Sequence, residues 1–198
     1  MNTLWNRAVG LMSVALLGVG LAQSGAAISI RQAFINGKAL VAMTAPKPLA
    51  LNGFKQSYSY GLTLRDVYTQ AGVASFGLVL ASRSGTAADT ISFSFSGPYS
   101  QIQAATANTL QLLFTAATCL GVPPSQLKAL NQPGEFLNVL QRAFGSRRST
   151  SFSKRYSGVN FTLNNVDFSG GAARYTILLS NPGQVGQGGW NNYCAVRN

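Results

Sequence analysis

Between Ser146 and Tyr156 the chain reads Ser-Arg-Arg-Ser-Thr-Ser-Phe-Ser-Lys-Arg-Tyr, its densest interleaving of cationic and aromatic side chains. In an extended segment successive side chains point to opposite faces. Arg148, Phe152, Lys154 and Tyr156 would then share one face, with Arg147 and Arg155 on the other. A face of this kind holds phosphates by charge while bases stack on its rings, as in proteins that bind single-stranded nucleic acid. The candidate polyanion site is therefore Arg147, Arg148, Phe152, Lys154, Arg155 and Tyr156. The same letters also suit a solvated edge strand, with Phe152 and Tyr156 packed inward and the charges discouraging edge pairing.

Catalytic chemistry has few residues to work with. The chain has no histidine, which removes the commonest general base, metal ligand and triad partner and excludes Ser-His-Asp and Cys-His mechanisms. Its four acids are Asp66, Asp89, Glu135 and Asp167. A carboxylate-dependent glycoside hydrolase needs two of them held about 5–9.5 Å apart. Asp66 falls in a helix-like segment beside Arg65, and Glu135 falls in the first turn of another helix, where a carboxylate favours the positive end of the dipole. Asn164, Asn165 and Asp167 offer one carboxylate ahead of Gly170-Gly171, which suits a turn with side chain-to-backbone hydrogen bonds better than a calcium site. The expectation is no catalytic residue, no metal and no cofactor.

At the N-terminus Arg7 precedes an uncharged run from Ala8 to Leu21 and the small residues Ala22 to Ala27. That order is the three-part secretory signal. The apolar run, about fifteen residues, falls short of the roughly twenty that a membrane-spanning helix needs. Residues 1–22 are expected to be cleaved, with cleavage after Ala26 as the alternative. The product is expected to be exported, periplasmic or secreted, with no membrane-spanning segment. Cys119 and Cys194 are the only cysteines, and in an oxidising compartment an even count reads as one disulfide. Charged residues make up only 10% of the chain yet its net charge is +11, so the polar surface must be Ser, Thr, Asn and Gln, and polyanions should be attracted at low salt.

Periodicity supplies the scaffold. Ile28 to Phe34 alternates and, beyond the turn pair Asn36-Gly37, Lys38 to Met43 resumes an apolar run, which predicts a hairpin. Gln56 to Leu64 alternates as a strand. In Thr63 to Ala71 the period changes, with Leu64, Val67, Tyr68 and Ala71 at i, i+3, i+4 and i+7, Thr63 as N-cap and Gly72 as stop, predicting a short amphipathic helix. Phe76 to Ser82 and Thr90 to Ser96 read as strands. Ser100 and Gln103 then have capping-box spacing before a helical stripe of Ile102, Thr106, Leu110, Leu113, Phe114 and Ala117 that runs to Gly121. A turn at Pro123-Pro124 leads to a second helix from Glu135 to Phe144, with Phe136, Leu137, Leu140 and Phe144 inward and Gly145 as its stop. Ser149 to Tyr156, Val159 to Leu163 and Ala173 to Leu179 read as strands.

Strands that bracket a helical block predict an α+β fold: one domain over residues 23–198, with a largely antiparallel sheet, a helical pair at about 100–120 and 135–144 packed on it, and a Gly-rich tail at 181–198. The stretch Gly61 to Val67 followed by Gln70-Ala71-Gly72 resembles the strand-to-helix step of ligand-binding β-grasp modules. That resemblance implies at most a binding module, and no family is assigned. The expected function is an exported, non-catalytic binding or structural module of the cell envelope or extracellular space, its partner an envelope protein or a polyanion. The first alternative is a basic polyanion binder for nucleic acid, anionic polysaccharide or lipid headgroups, and the further alternative is a carboxylate-dependent hydrolase.

Overall fold

The structure, a computed structural model, describes residues 28–29, 39–85, 87–122, 132–156, 158–181 and 194–195. In chain order its elements are β1 (Ile28–Ser29), β2 (Leu40–Met43), β3 (Lys47–Pro48), β4 (Gln56–Arg65), β5 (Val73–Ser82), β6 (Thr90–Pro98), a 3₁₀ turn (Tyr99–Gln101), α1 (Ile102–Cys119), α2 (Gln132–Ser146), β7 (Phe152–Tyr156), β8 (Val159–Ser169), β9 (Ala172–Ser180) and β10 (Cys194–Ala195). An eight-stranded sheet runs β2-β4-β5-β6-β9-β8-β7, with β3 also on β4. Every pairing in it is antiparallel. The β4-β5-β6 and β7-β8-β9 meanders meet at a central β6–β9 seam.

Alternation decides which side of the sheet is buried. Leu62, Phe76, Leu78, Ile91, Phe93, Phe95, Tyr175, Ile177 and Leu163 all point to one face and are withdrawn from solvent. Both helices lie on that face, α1 against β4, β5, β6 and β9, and α2 against α1 and β8. A sheet with apolar residues on one side needs cover on that side only. The α+β class and the predicted strands at Gln56, Phe76, Thr90 and Ala173 are therefore present.

The predicted helix over Thr63–Ala71 is not. β4 continues to Arg65, and Asp66, 2% exposed, then turns the chain. Its Oδ1 accepts the N–H groups of Tyr68 and Thr69 at 2.8 and 2.9 Å, and the Gln70 N–H reaches the Asp66 carbonyl. A carboxylate that captures these donors favours a single turn. The chain leaves through left-handed Gln70 and Gly72 into β5, so the helical spacing covers one turn only and Tyr68 faces solvent. Asp66 thus lies in a strand-to-strand turn, and the resemblance to a strand-to-helix step ends here.

Other boundaries shift for similar local reasons. The described ends of the predicted N-terminal hairpin pair elsewhere, β1 with β10 in parallel and β2 with β4; the Asn36-Gly37 turn lies outside the described residues. α1 has no side-chain cap, since Ser100 belongs to the 3₁₀ turn. Its buried face is Ala104, Ala105, Asn108, Thr109, Leu112, Leu113, Ala116 and Ala117, so of the expected stripe Leu113 and Ala117 are buried, and Ile102 and Phe114 are half-buried against the core. Small side chains let the helix approach the sheet, and two polar residues occupy the buried face. Asn108 Nδ2 donates to the carbonyls of Arg65 and Ala104, and the Thr109 and Tyr175 hydroxyls are 2.6 Å apart.

α2 passes Gly145, and the left-handed residue beyond its end is Arg147, with φ 51°. Leu140 is buried and Phe144 packs on the core, while the side chains of Phe136 and Leu137 lie outside those described. Asn164 to Asp167 form no turn. They lie inside β8, where a register shift brings Val166 into the core. The Pro123-Pro124 turn, and the 181–198 tail apart from Asn181 and β10, lie outside the described residues.

Candidate functional site

The six residues of the predicted polyanion cluster do not share a surface. β7 is the edge strand, and on it Tyr156 is 6% exposed, with its ring 5.3 Å from that of Phe161. Phe152 packs against the core. Burial withdraws the Tyr156 ring from a stacking base, and Phe152 is half-buried. Arg155 is exposed on the side away from the helices, in register with Asn160. Arg147 and Arg148 follow α2, and the Arg147 guanidinium lies 5.1 Å above the Tyr99 ring.

Lys154 has a partner that linear reasoning could not supply. Glu135 Oε2, in the first turn of α2, accepts from Lys154 Nζ at 2.7 Å and from the Tyr156 hydroxyl at 2.6 Å. This junction ties the helix to the edge strand. The Lys154 hydrogen bond, then that of Tyr156, holds the Glu135 carboxyl below its ordinary pKa, while burial and then the carboxylate push the Tyr156 phenol up. A lowered carboxyl contributes stability above its unfolded value of 4.5 that is lost as pH falls through the folded pKa. A raised phenol contributes stability below 10.0 that is lost as pH rises through its folded pKa. In an NMR titration the Glu135 midpoint should lie below 4.5 and move up in Lys154→Gln. An unmoved midpoint would show that the ammonium does not act on the carboxylate.

The opposite face of the sheet has a different chemistry. Directly opposed residues in antiparallel strands share a face, so registers can be read across the sheet as rows. One row runs Lys47, Ser59, Val79, Ser92, Leu178, Thr162, Ser153. A second runs Gly61, Gly77, Ser94, Thr176, Asn164, and a third Ser57, Ala81, Thr90, Ser180, Asn160, Arg155. Strands about 4.8 Å apart and rows about 6.8 Å apart make this a regular array roughly 30 Å across, mostly of hydroxyl, amide and glycine positions but with Val79, Ala81 and Leu178 among them, and with Ser57 and Ala81 buried at one end. No aromatic side chain faces this side among the described residues. Ser75, Gly77 and Ser96 are exposed, as are the cations Lys47, Arg65, Arg155 and Arg174 around the rim. Arg174 has Asp167 as its cross-strand neighbour.

The acids are dispersed. Asp89, fully buried, accepts the Arg83 N–H at 2.7 Å and the Thr90 hydroxyl at 3.0 Å. It follows the Ser82 end of β5, whereas Asp66 precedes the Val73 end, roughly 30 Å away along an extended strand. Glu135 is on the helix side and Asp167 on the open side. Glycoside hydrolysis needs paired carboxyls far closer than this, and no group of three potential metal ligands occurs among the described residues. No family model, no curated protein and no solved structure matches the chain.

Proposed function

We propose that the protein is an exported, non-catalytic binding module that holds an anionic polysaccharide of the cell envelope or extracellular space against the open face of its sheet. The observation that carries this reading is the sheet face without helices on it, with its half-exposed Ser, Thr, Asn and Gly and with Lys47, Arg65, Arg155 and Arg174 exposed at its rim. Hydroxyls and amides hydrogen-bond sugar hydroxyls, and the cations attract carboxylate or sulfate. Among the described residues the same face offers no ring on which a base could stack, which favours a sugar polymer over single-stranded nucleic acid. The non-catalytic part is supported by the dispersal of the four acids. Export is supported by Cys119, buried at the end of α1 and not a free thiol; we assign its partner as Cys194.

The test is a salt titration of binding to polygalacturonate, heparin and oligo(dT). Neutralising about four charges gives a log–log slope near −3 by the value for single-stranded polymers. Replacing Lys47, Arg65, Arg155 and Arg174 with glutamine should flatten the slope for both polysaccharides. Replacing Arg147, Arg148, Lys154 and Arg155 should remove only the share that belongs to Arg155. The reverse ranking, or preferential binding of oligo(dT), would return the site to the 147–156 segment and sink the open-face reading.

A further inference from the structure

A second site lies away from the open face, where the β8–β9 turn meets the end of α2. Tyr99, Arg147, Phe168, Ser169, Gly170 and Gly171 line a cavity of about 450 Å³, within the range that holds small ligands. Phe168 forms its apolar wall, steadied by Tyr99 at 6.1 Å and edge-on by Phe144 at 5.7 Å. The backbone brings the turn to the ring, because the Tyr99 N–H donates to the Gly171 carbonyl at 3.1 Å. Gly170 and Gly171, both with positive φ, carry no side chain into the space.

Arg147 gives this cavity its polarity. Its side chain stacks on Tyr99 and forms no hydrogen bond or ion pair with a described residue. No acid lines the cavity. Its backbone sits at φ 51°, a conformation that glycine would adopt with less strain. Strain of this kind concentrates where the side chain has work to do.

We infer that this cavity binds a small carboxylate with a ring or apolar body, the Arg147 guanidinium pairing with the carboxylate and Phe168 packing against the body. Guanidinium donors form a planar fork that matches a carboxylate, and stacking on Tyr99 leaves the edge of that fork free. The inference does not depend on the polysaccharide reading, since Arg147 is not among the residues of the open face.

The experiment titrates the mature protein with benzoate, benzamide and acetate, followed by NMR and calorimetry. Benzoate should bind saturably with shifts at Tyr99, Phe168 and Gly170. Benzamide, which keeps the ring and loses the charge, and acetate, which keeps the charge and loses the ring, should each bind about tenfold or more weakly. Arg147→Gln should weaken benzoate by a similar factor while leaving the salt slope for polygalacturonate unchanged. Arg147→Gly should also lose benzoate, yet raise Tm by about 2–4 °C as the left-handed strain is relieved. Equal binding of benzoate and benzamide, full benzoate affinity in either variant, or no saturable benzoate binding would each overturn the inference.

Discussion

Phe95→Ala should destabilise the protein by about 3–5 kcal/mol, the range for truncating a buried aromatic residue where the surroundings collapse only in part. Phe95 is 1% exposed and belongs to β6 at the central seam, opposite Phe76 on one side and Tyr175 on the other. Its ring lies 5.8 Å from Phe76 and 5.5 Å from Tyr175. Neither neighbour moves easily into the vacated volume, because Phe76 is fixed in the strand ladder and the Tyr175 hydroxyl is bound to Thr109 beneath α1. A Cβ on Gly97 would approach Phe95 Cζ to 2.9 Å, a measure of how tightly the strand end closes on the ring. The comparison variant is Ser94→Ala, one residue away on the open face, which should change stability by no more than about 0.5 kcal/mol. Denaturant midpoints check both, and similar losses for the two would contradict the assignment of faces.

Cys194→Ala should lower stability by about 2–4 kcal/mol through loss of the assigned bridge to Cys119, close to the ~4 kcal/mol of chain entropy for a loop of about 75 residues. The effect should be global. Cys119 is at the buried end of α1, and Cys194 belongs to β10, which pairs in parallel with β1 through Ile28 and Ser29. A bridge there fastens both of these outlying segments to the helix layer. Non-reducing peptide mapping should find residues 119 and 194 in one linked species, and Cys119→Ala/Cys194→Ala should cost no more than either single change. Two alkylatable thiols in native, never-reduced protein would remove the bridge and its part of the export reading.

The long strands were legible because their physics is local. Thr90 to Ser96 alternates serine with Ile91, Phe93 and Phe95, and that alternation requires one wet face and one dry face whatever the neighbouring strand. Tyr175, Ile177 and Leu179 in β9 follow the same rule. Local reading failed where side chains compete for the backbone or where a neighbour sets the register. Over Thr63–Ala71, Asp66 captures N–H groups that a helix would have used. At Asn164–Asp167, pairing of β8 with β9 holds a polar stretch in the sheet that would otherwise turn. In α1, Asn108 and Thr109 score as polar, but their partners are the Arg65 carbonyl and the Tyr175 hydroxyl, distant in the chain, and those partners turn them inward.

Composition alone required a basic protein with a neutral polar surface and excluded histidine chemistry, since both follow from residue counts that folding cannot change. Period-two patterning required strands with one buried side, and strands bracketing a helical block made a largely antiparallel sheet the expectation. The location of the proposed sites follows from long-range pairing. The strand order brings Lys47, Arg65, Arg155 and Arg174, scattered along the chain, to the rim of one face. It leaves the compact 147–156 run divided between an edge strand, an ion pair with Glu135 and a cavity with Tyr99 and Phe168. Proximity along a chain gathers charges only as far as the strand direction and its next partner allow, and in this protein those partners lie tens of residues away.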